Sequence, residues 1–364
     1  MLAKLTQSRR IYYKSLASLL VILSLLTLAS CQASLQKSEK ETNSEQWHAG
    51  FAQMLTSQWE EVEQINKPVA RHEASLVAHD NILYLLGGRR VNPTNVFNPI
   101  TATWKLGAKP PIEVHHFQAV SFDDGIYILG AFTGGWPNEI PIDRVIKYTP
   151  STDSFTFTHT IPESRRRGGA ASVVYQNKIY VIGGITEGHM RGTNAWFDAY
   201  DPRTGKWTRL ADAPNARDHL QAAVYDHKLY LLGGRRSSQA TKQGFELTTP
   251  YVDVYDFRTD QWSSLPESLN IPVQSAGNMA IATDYGLVAG GGESGSQRAA
   301  HDEVFLFSPE KQSWTQLGNL NRGRHGTGFA MVFVDGNDYI YTVSGSGNRG
   351  GGPELVSAER FKLP

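Results

Sequence analysis

The stretch Leu229-Tyr230-Leu231-Leu232-Gly233-Gly234 is followed by Tyr255 and, seven residues later, by Trp262. Variants of this pattern recur along almost the whole chain. Before other pairs of small residues, the position of Tyr230 is taken by Tyr84, Tyr127, Tyr180, Leu287 (before Gly290-Gly291) and Tyr341. The later pair, seven residues apart, recurs as Phe97 and Trp104, Tyr148 and Phe155, Tyr200 and Trp207, and Phe307 and Trp314. A repeat of about 50 residues with this signature predicts a propeller or another array of repeats.

The two ends of the repeat region complement each other. Trp59 resembles the Trp that leads the last strand of each repeat, but no aromatic residue stands seven positions before it. Phe361 is a repeat aromatic whose Trp partner is missing. Counting the small pairs gives six blades, and the two incomplete repeats together make one blade. We therefore predict an all-β, six-bladed propeller in which the strand at Trp59 completes the last blade and closes the ring.

These repeats resemble the kelch repeats of the galactose-oxidase-type β-propeller superfamily. The resemblance covers residues 59–364, and five of the six repeats carry both halves of the motif. A WD40 propeller is a weaker alternative, because the chain contains no Trp-Asp dipeptide. The resemblance implies a structural role for the motif residues. The glycines allow backbones to approach closely, and the aromatic side chains pack between blades.

The first 30 residues are predicted to be a signal peptide. Basic residues precede an apolar run from Leu16 to Leu28, which is too short for a confident membrane span. The run ends in Leu28-Ala29-Ser30-Cys31, which resembles a bacterial lipoprotein lipobox. That resemblance implies lipidation of Cys31, with the envelope of a bacterium as the location. Gln32 in place of Asp favours the outer membrane. An ordinary signal peptide with a chance cysteine is the alternative.

Residues 31–58 are predicted to join the lipidated cysteine to the propeller through a polar tether. Within them, residues 47–57 fit either a short helix or an extended lead-in. Cys31 is the single cysteine of the chain, so the mature monomer has no internal disulfide. Removing residues 1–30 leaves 31 basic against 35 acidic residues, a net charge of about −4. Nothing in this balance indicates a nucleic-acid partner, and we expect a monomer.

Basic residues are concentrated at one end of the predicted channel. In each blade, the loop leading into the first strand and the loop after the glycine pair lie on the same face. Their residues form a predicted ligand-binding mouth: Arg71, His72, Arg89, Arg90, His115, His116, Arg167, Arg217, His219, Arg235, Arg236, Arg324 and His325. Guanidinium groups suit carboxylate, phosphate or sulfate groups. The alternative is that the arginines leading into the first strands only hydrogen-bond backbone carbonyls.

Trp136 fits no repeat position and lies in the long loop of the second blade. On the ligand face its ring would stack on a sugar or a side chain, or it would cover the base of its own loop. The residues from Arg235 to Thr249 form another long polar loop, which we expect to be mobile.

Catalytic signatures are scarce. The copper site of galactose oxidase requires a Tyr–Cys crosslink, and Cys31 lies in the lipobox, so copper oxidase activity is not expected. We predict no metal site and no cofactor. In a strand, the adjacent residues His115 and His116 would point to opposite faces. Glu187 and His189 share a loop and are weak candidates for an acid–base pair, although loop residues of this kind are usually solvated.

Two functional classes follow from these features. The first is a membrane-anchored binding module that presents its mouth to an anionic ligand, either an acidic protein segment or an acidic sugar or glycan. The second is a cofactor-independent sugar mutarotase or epimerase, by analogy with exported sialic-acid mutarotases that share the kelch fold.

Overall fold

The computed structural model describes residues 45–364 of the 364-residue chain. The predicted signal peptide, Cys31 and residues 32–44 of the predicted tether lie outside the described residues. Residues 45–54 form a helix, which overlaps residues 47–57, the stretch for which the sequence favoured neither a helix nor an extended lead-in. Met54–Pro364 form one compact unit, which does not include the helix residues before Met54. Among residues 45–364, no helix combines the length and apolar character needed to cross a membrane.

Between residues 59 and 364, the strands form six four-stranded antiparallel sheets, the blades of a propeller. Each of blades one to five runs outward from the channel in chain order. Blades one and two comprise β2 (Ala74–His79), β3 (Ile82–Gly87), β4 (Asn95–Asn98) and β5 (Thr103–Leu106), then β6 (Val120–Phe122), β7 (Gly125–Ile128), β10 (Arg144–Thr149) and β11 (Ser154–Thr160). Blades three and four comprise β12 (Ala171–Tyr175), β13 (Lys178–Ile182), β16 (Phe197–Tyr200) and β17 (Trp207–Arg209), then β18 (Gln221–Tyr225), β19 (Lys228–Leu232), β20 (Asp253–Asp256) and β21 (Gln261–Ser264). Blade five comprises β22 (Met279–Thr283), β23 (Gly286–Gly290), β24 (Glu303–Ser308) and β25 (Ser313–Asn319).

Blade six is assembled from both ends of the propeller. Its strands are β26 (Phe329–Val334), β27 (Asn337–Val343), β28 (Ala358–Lys362) and, outermost, β1 (Trp59–Glu61). Trp59 pairs with Phe361, and their ring centroids lie 5.4 Å apart. The predicted six blades and their closure by the N-terminal strand are therefore confirmed.

Two short hairpins extend the loops after the small-residue pairs. β8 (Phe132–Thr133) pairs with β9 (Ile140–Pro141) in blade two, and β14 (Ile185–Glu187) pairs with β15 (Arg191–Thr193) in blade three. Four 3-10 turns are found among the described residues: Pro150–Thr152, Glu163–Arg165, Gln239–Thr241 and Glu267–Leu269. The two hairpins and the turn at Gln239–Thr241 supply three of the side chains at the mouth of the channel, Trp136, His189 and Gln239.

The predicted motif residues pack as expected. A Cβ on Gly87 would lie 2.5 Å from the carbonyl oxygen of Val114 in the following segment, so the φ of +68° and the close approach both require glycine. Phe197 of blade three contacts Tyr255 of blade four, with ring centroids 4.8 Å apart. The indole of Trp262 donates a hydrogen bond to the carbonyl of Ala211, 2.9 Å away, in the connection from blade three. The motif residues thus hold adjacent blades together.

The glycine pair of blade five differs from the prediction by one residue. The left-handed pair is Gly291-Gly292, not Gly290-Gly291, and β23 continues through Gly290. Leu287 pairs with Phe307 as Leu229 pairs with Tyr255. Leu287 is therefore equivalent to Leu229. Three successive glycines made the two alignments indistinguishable from sequence.

Candidate functional site

Six residues, one from each blade, surround the channel where the chain enters the first strands. All have a left-handed backbone, with φ between 54° and 65°. We call them the channel ring: Glu73, His116, Gly169, His219, Gly277 and Gly326. From His116 round to Gly326, the N–H of each ring residue donates to the carbonyl of the preceding one, at 2.7–3.0 Å. The N–H of Ala74 donates to the Gly326 carbonyl at 3.0 Å and closes the circle.

Three of the ring positions carry side chains in a conformation that favours glycine. Glycine adopts φ > 0 freely, whereas another residue held in a sparsely populated region costs on the order of 1–3 kcal/mol. Blades three, five and six have glycine in the ring, but blades one, two and four have Glu73, His116 and His219. This strain marks the three side chains as candidates for function rather than for folding.

The four arginines that lead into first strands are buried inside their own blades. The relative exposure of Arg71, Arg167, Arg217 and Arg324 is 2% or less. The guanidinium of Arg217 donates to the Gly233 and Tyr251 carbonyls and forms an ion pair with buried Asp253, 2.5 Å away. The equivalent partners are Asn95 for Arg71, Asp198 for Arg167 and Glu359 for Arg324. These four arginines therefore do not line the mouth as predicted. Their guanidinium groups are already surrounded by carbonyls and polar side chains of their own blades.

The arginines that follow the glycine pairs separate into two groups. Arg89 and Arg235 line the mouth and form ion pairs with Glu139 and Glu293, each at 2.6 Å. Arg90 is exposed and pairs with Glu354 at 2.7 Å. Arg236 is exposed and lies in a separate groove with Thr248 and Tyr251. The mouth thus contains paired arginines rather than a ring of mutually repelling ones.

The histidines converge more closely than the sequence indicated. His115 and His116 lie in a loop, not a strand, and the left-handed backbone at His116 brings their Nδ1 atoms to 2.6 Å. The expectation that this pair points to opposite faces was wrong for that reason. The Nδ1 of His72 donates to Glu354 at 2.8 Å, and His325 is fully buried 3.5 Å from Glu73.

His189 has a different acidic partner from the predicted one. Glu187 is exposed and pairs with Arg191 across the blade-three hairpin, at 2.9 Å. The Nδ1 of His189 instead donates to Glu139 of the blade-two hairpin, also at 2.9 Å. The predicted pair of Glu187 and His189 is therefore not brought together, because Glu187 ends β14 and pairs with Arg191, whereas His189 lies in the turn and contacts Glu139.

These residues enclose what we call the mouth pocket, a cavity of about 470 Å³. Trp136 stands on its wall with 59% of its surface exposed, and Phe245 comes from the long loop of blade four. The lining residues are His72, Glu73, Arg89, His116, Trp136, His189, Arg235, Gln239, Gly244, Phe245, Glu293, Gly350 and Gly351. Two arginines and two glutamates are among them, so the charges of the lining residues balance when the histidines are uncharged.

Burial and neighbouring charges set the protonation of the pocket. Burial lowers the pKa of His116 well below its usual value, and the nearby histidines add to this effect. Burial also lowers the pKa of His189, although Glu139 opposes the change. For Glu293, burial would raise the pKa, but the charges of His325 and Arg235 outweigh it and lower the pKa to about 2. His116 and His189 are therefore neutral and Glu293 is ionised at pH 7.

Two groups of side chains have the composition and spacing of cation ligands. His116, His189 and His219 each offer a ligand atom within 4.8 Å of the others. Glu73, Glu293 and His325 form the second group with the same spacing. The first group comes from blades two, three and four, and the second comes from blades five, six and one.

The sequence model of the Attractin/LZTR1 beta-propeller family matches residues 40–299. The chain belongs to this family. Kelch-like protein terF of Aspergillus terreus is 30% identical over 286 residues, which cover 72% of this chain and 59% of terF. Human Kelch-like protein 38 is 29% identical over 209 residues, 55% of this chain and 33% of that protein. The chain thus spans between a third and three fifths of the length of these curated relatives.

The solved structure of YjhT gives a TM-score of 0.66, covering 81% of this chain and 95% of YjhT. At 16% sequence identity this likeness shows the fold alone. Together with the relatives, it agrees with a kelch-type repeat, a fold that indicates a binding or interaction module.

Sequence reasoning missed several pocket residues. Glu139 and Glu293 lie in loops without a motif, and Phe245 lies in a polar stretch. Glu73 had a usable signal, since it stands fourteen residues before Gly87, as Gly169 stands before Gly183 and Gly277 before Gly291. A charged residue at a repeat position that is glycine in other blades indicates that the left-handed backbone is kept there although it costs conformational free energy.

Proposed function

We propose that this propeller is a binding module whose ligand is a small sugar carrying a carboxylate, bound in the mouth pocket. The cavity of about 470 Å³ lies within the range of small-molecule sites, roughly 300–1,000 Å³. A cavity of this size fits a sugar of one or two rings, whereas an acidic peptide would place only a side chain in it. A propeller of the kelch type supports a binding role but does not name the ligand.

The observation that carries this proposal is the combination of aromatic faces and guanidinium groups in one cavity. Trp136 presents an exposed ring, and the Phe245 ring centroid lies 5.1 Å from the Arg235 guanidinium carbon. Aromatic faces stack on the apolar faces of sugar rings. Arg89 and Arg235 each have further N–H donors beyond those that engage Glu139 and Glu293, because a guanidinium has five.

The experiment is isothermal titration of the full-length chain with N-acetylneuraminic acid and glucuronic acid, against glucose and N-acetylglucosamine. We expect the acidic sugars to bind and the neutral ones to bind more weakly. Trp136→Ala should weaken binding by about three- to tenfold, the loss expected for one stacking contact. Arg236→Ala is the matched control, because this exposed arginine lies outside the pocket. Equal binding of neutral and acidic sugars, or binding of acidic peptides alone, would contradict the proposal.

A second candidate is a cofactor-independent sugar mutarotase or epimerase. The observation that favours it is the juxtaposition of Glu73 Oε2 and His116 Nε2, 3.4 Å apart in the pocket wall, a carboxylate beside an imidazole. Exchange between the anomers of N-acetylneuraminic acid, followed by NMR, tests this activity. If the chain accelerates this exchange and Glu73→Gln abolishes the acceleration, the result supports an enzyme. If the sugar binds but its exchange is not accelerated, the result favours the binding module.

Membrane anchoring through Cys31 is also a proposal. Its support is the lipobox-like sequence Leu28-Ala29-Ser30-Cys31 after a basic and then apolar segment. Lipidation there would hold the propeller at a bacterial envelope membrane, with the outer membrane favoured by Gln32.

A further inference from the structure

Three histidines from consecutive blades meet beneath the mouth pocket. His116 and His219 are channel-ring residues of blades two and four, and His189 comes from the extra hairpin of blade three. Blade three has Gly169 in the ring, so the hairpin supplies the imidazole that its ring position lacks. The three ring centroids are 4.7–5.0 Å apart, and none of the three residues is more than 7% exposed.

The hydrogen bonds fix which nitrogen each imidazole turns to the others. The Nδ1 of His189 donates to Glu139 at 2.9 Å, and the Nδ1 of His219 donates to Asp218 at 2.5 Å. Asp218 also accepts from Ser237, so its carboxylate serves only as an acceptor. In each neutral imidazole, the proton on Nδ1 leaves a lone pair on Nε2.

His116 has the same arrangement through a neighbouring histidine. The Nε2 of His115 lies 3.0 Å from the Gly134 carbonyl, which can only accept, so His115 carries its proton there. The Nδ1 of His115 is then an acceptor, and the Nδ1 of His116, 2.6 Å away, must donate to it. The Nε2 of His116 therefore also carries a lone pair.

Two further observations point to a ligand. The Nε2 of His219 is buried without a hydrogen-bond partner, a cost that a structural histidine would not need to bear. In addition, His116 and His219 occupy left-handed positions where three other blades have glycine. Imidazoles whose second nitrogen is fixed by a carboxylate are typical of metal ligands.

We propose that His116, His189 and His219 bind a divalent first-row transition metal ion through their Nε2 atoms, at the floor of the mouth pocket. This inference goes beyond the proposed sugar binding and does not depend on it. One ring nitrogen of each histidine lies within 4.8 Å of one ring nitrogen of each of the others, and a tetrahedral zinc site needs about 3.3 Å between nitrogens. Closure therefore requires ring movements of up to about 1.5 Å.

Glu73 is placed to add a carboxylate oxygen. Its Oε2 lies 3.4 Å from the Nε2 of His116, which is the separation of two ligands on one tetrahedral ion. With three imidazoles and one carboxylate, the site would suit zinc and its neighbours better than magnesium or calcium, which prefer oxygen ligands.

The experiment is isothermal titration of zinc into the full-length chain after removal of metals with EDTA, repeated with cobalt(II) and its visible absorption spectrum. We expect one ion per chain, a tetrahedral cobalt spectrum and a rise in the melting temperature. His189→Ala, in the blade-three hairpin, should reduce zinc affinity by about 100-fold or more, and Asp218→Asn by about 10–100-fold. His227→Ala is the control, because this histidine is exposed and contacts Tyr175 in the described structure.

Zinc binding that His189→Ala leaves unchanged, or the absence of zinc and cobalt binding by the wild-type chain, would overturn the proposal. Should Asp218→Asn fail to fold, the His189→Ala result decides alone, since that variant removes no ring residue. Titrating the acidic sugars into the metal-free chain separates the two proposals. Sugar binding without zinc binding would refute only the metal site, and zinc binding without sugar binding would refute only the sugar site.

Discussion

The Nδ1 atom of His189 lies 2.9 Å from Oε2 of Glu139 and joins the extra hairpins of blades two and three. The other oxygen of Glu139 accepts a hydrogen bond from Arg89 of blade one, at 2.6 Å. One buried carboxylate therefore connects three blades at the pocket wall. Burial would raise its pKa, but the hydrogen bonds from His189 and Arg89 lower it well below the usual range, so it is ionised.

The first prediction concerns this carboxylate. Glu139→Ala should destabilise the propeller by about 3–5 kcal/mol, because it leaves the Arg89 guanidinium without its buried partner. Urea unfolding followed by tryptophan fluorescence measures the change. Glu187→Ala, in the exposed ion pair of the neighbouring hairpin, should stay within about 0.5 kcal/mol. Equal stability of the two variants would show that the Glu139 contacts contribute little.

The second prediction separates folding from binding at the arginines. Arg217→Ala should lower the free energy of unfolding by about 3–5 kcal/mol, because buried Asp253 would lose its counter-ion. Exposed Arg236→Ala should leave stability within about 0.5 kcal/mol. Chemical denaturation of both variants gives the comparison. A stable Arg217→Ala variant that has only lost sugar binding would restore the original idea that this arginine serves a ligand.

The third prediction is a dependence of stability on pH. The pKa of Glu293 is lowered from 4.5 to about 2, where the opposing effect of burial is outweighed by His325 and Arg235. A lowered folded-state pKa gives stability that is present above pH 4.5 and is lost as the pH falls towards 2. Glu293→Gln should therefore be less stable than wild type at pH 7 and should lose less stability between pH 4.5 and 2.5. The measurement is the free energy of unfolding of both proteins as a function of pH, with Glu187→Gln as the control. If wild type and Glu293→Gln lost stability equally between pH 4.5 and 2.5, Glu293 would have no such role.

The fourth prediction tests ring closure. Trp59 is 6% exposed and packs against Phe329 and Phe361, with ring centroids 5.4 Å apart in both cases. Trp59→Ala should cost about 3–5 kcal/mol, the usual loss for a large buried aromatic. Deleting residues 58–66 should expose the edge of β28 and cause aggregation. Trp136→Ala, at an exposed Trp, is the matched control for thermal melting. A deletion variant that stays monomeric with an unchanged melting temperature is the result that contradicts closure.

The fifth prediction concerns lipidation. Cys31→Ser should leave unprocessed precursor and abolish metabolic labelling with palmitate in a bacterial host. The measurement is autoradiography of the immunoprecipitated protein, with wild type as the control. Persistent labelling of the variant would refute acylation at Cys31.

The fold was predictable because its determinants repeat. An aromatic or aliphatic residue equivalent to Tyr230 and a pair of small residues after it occur once per blade, so six weak signals reinforce one another. Even Trp59 could be assigned, because Phe361 lacked a partner. The mismatch in blade five arose where Gly290, Gly291 and Gly292 offered two alignments, and only strand pairing distinguishes them.

The site was less predictable because it depends on side-chain direction. Arg217 has the position expected of a mouth residue, but its side chain turns into the blade towards Asp253, a pairing between residues 36 apart. The contact between Glu139 and His189 joins loops of different blades, and no repeat period relates them. Sequence indicated which loops lie at the mouth, whereas the partners that decide the direction of each side chain emerge only from packing.

The closed circle of hydrogen bonds in the channel ring has a mechanical consequence. The chain passes through this circle once per blade, so links that adjoin in space are separated by about 50 residues in sequence. Because the circle of hydrogen bonds is closed, a displacement of the backbone at His116 is transmitted to its neighbours on both sides, as far as Gly277 on the opposite side of the ring. The strain of moving three imidazoles towards one metal ion would then be shared by all six ring segments instead of by one loop.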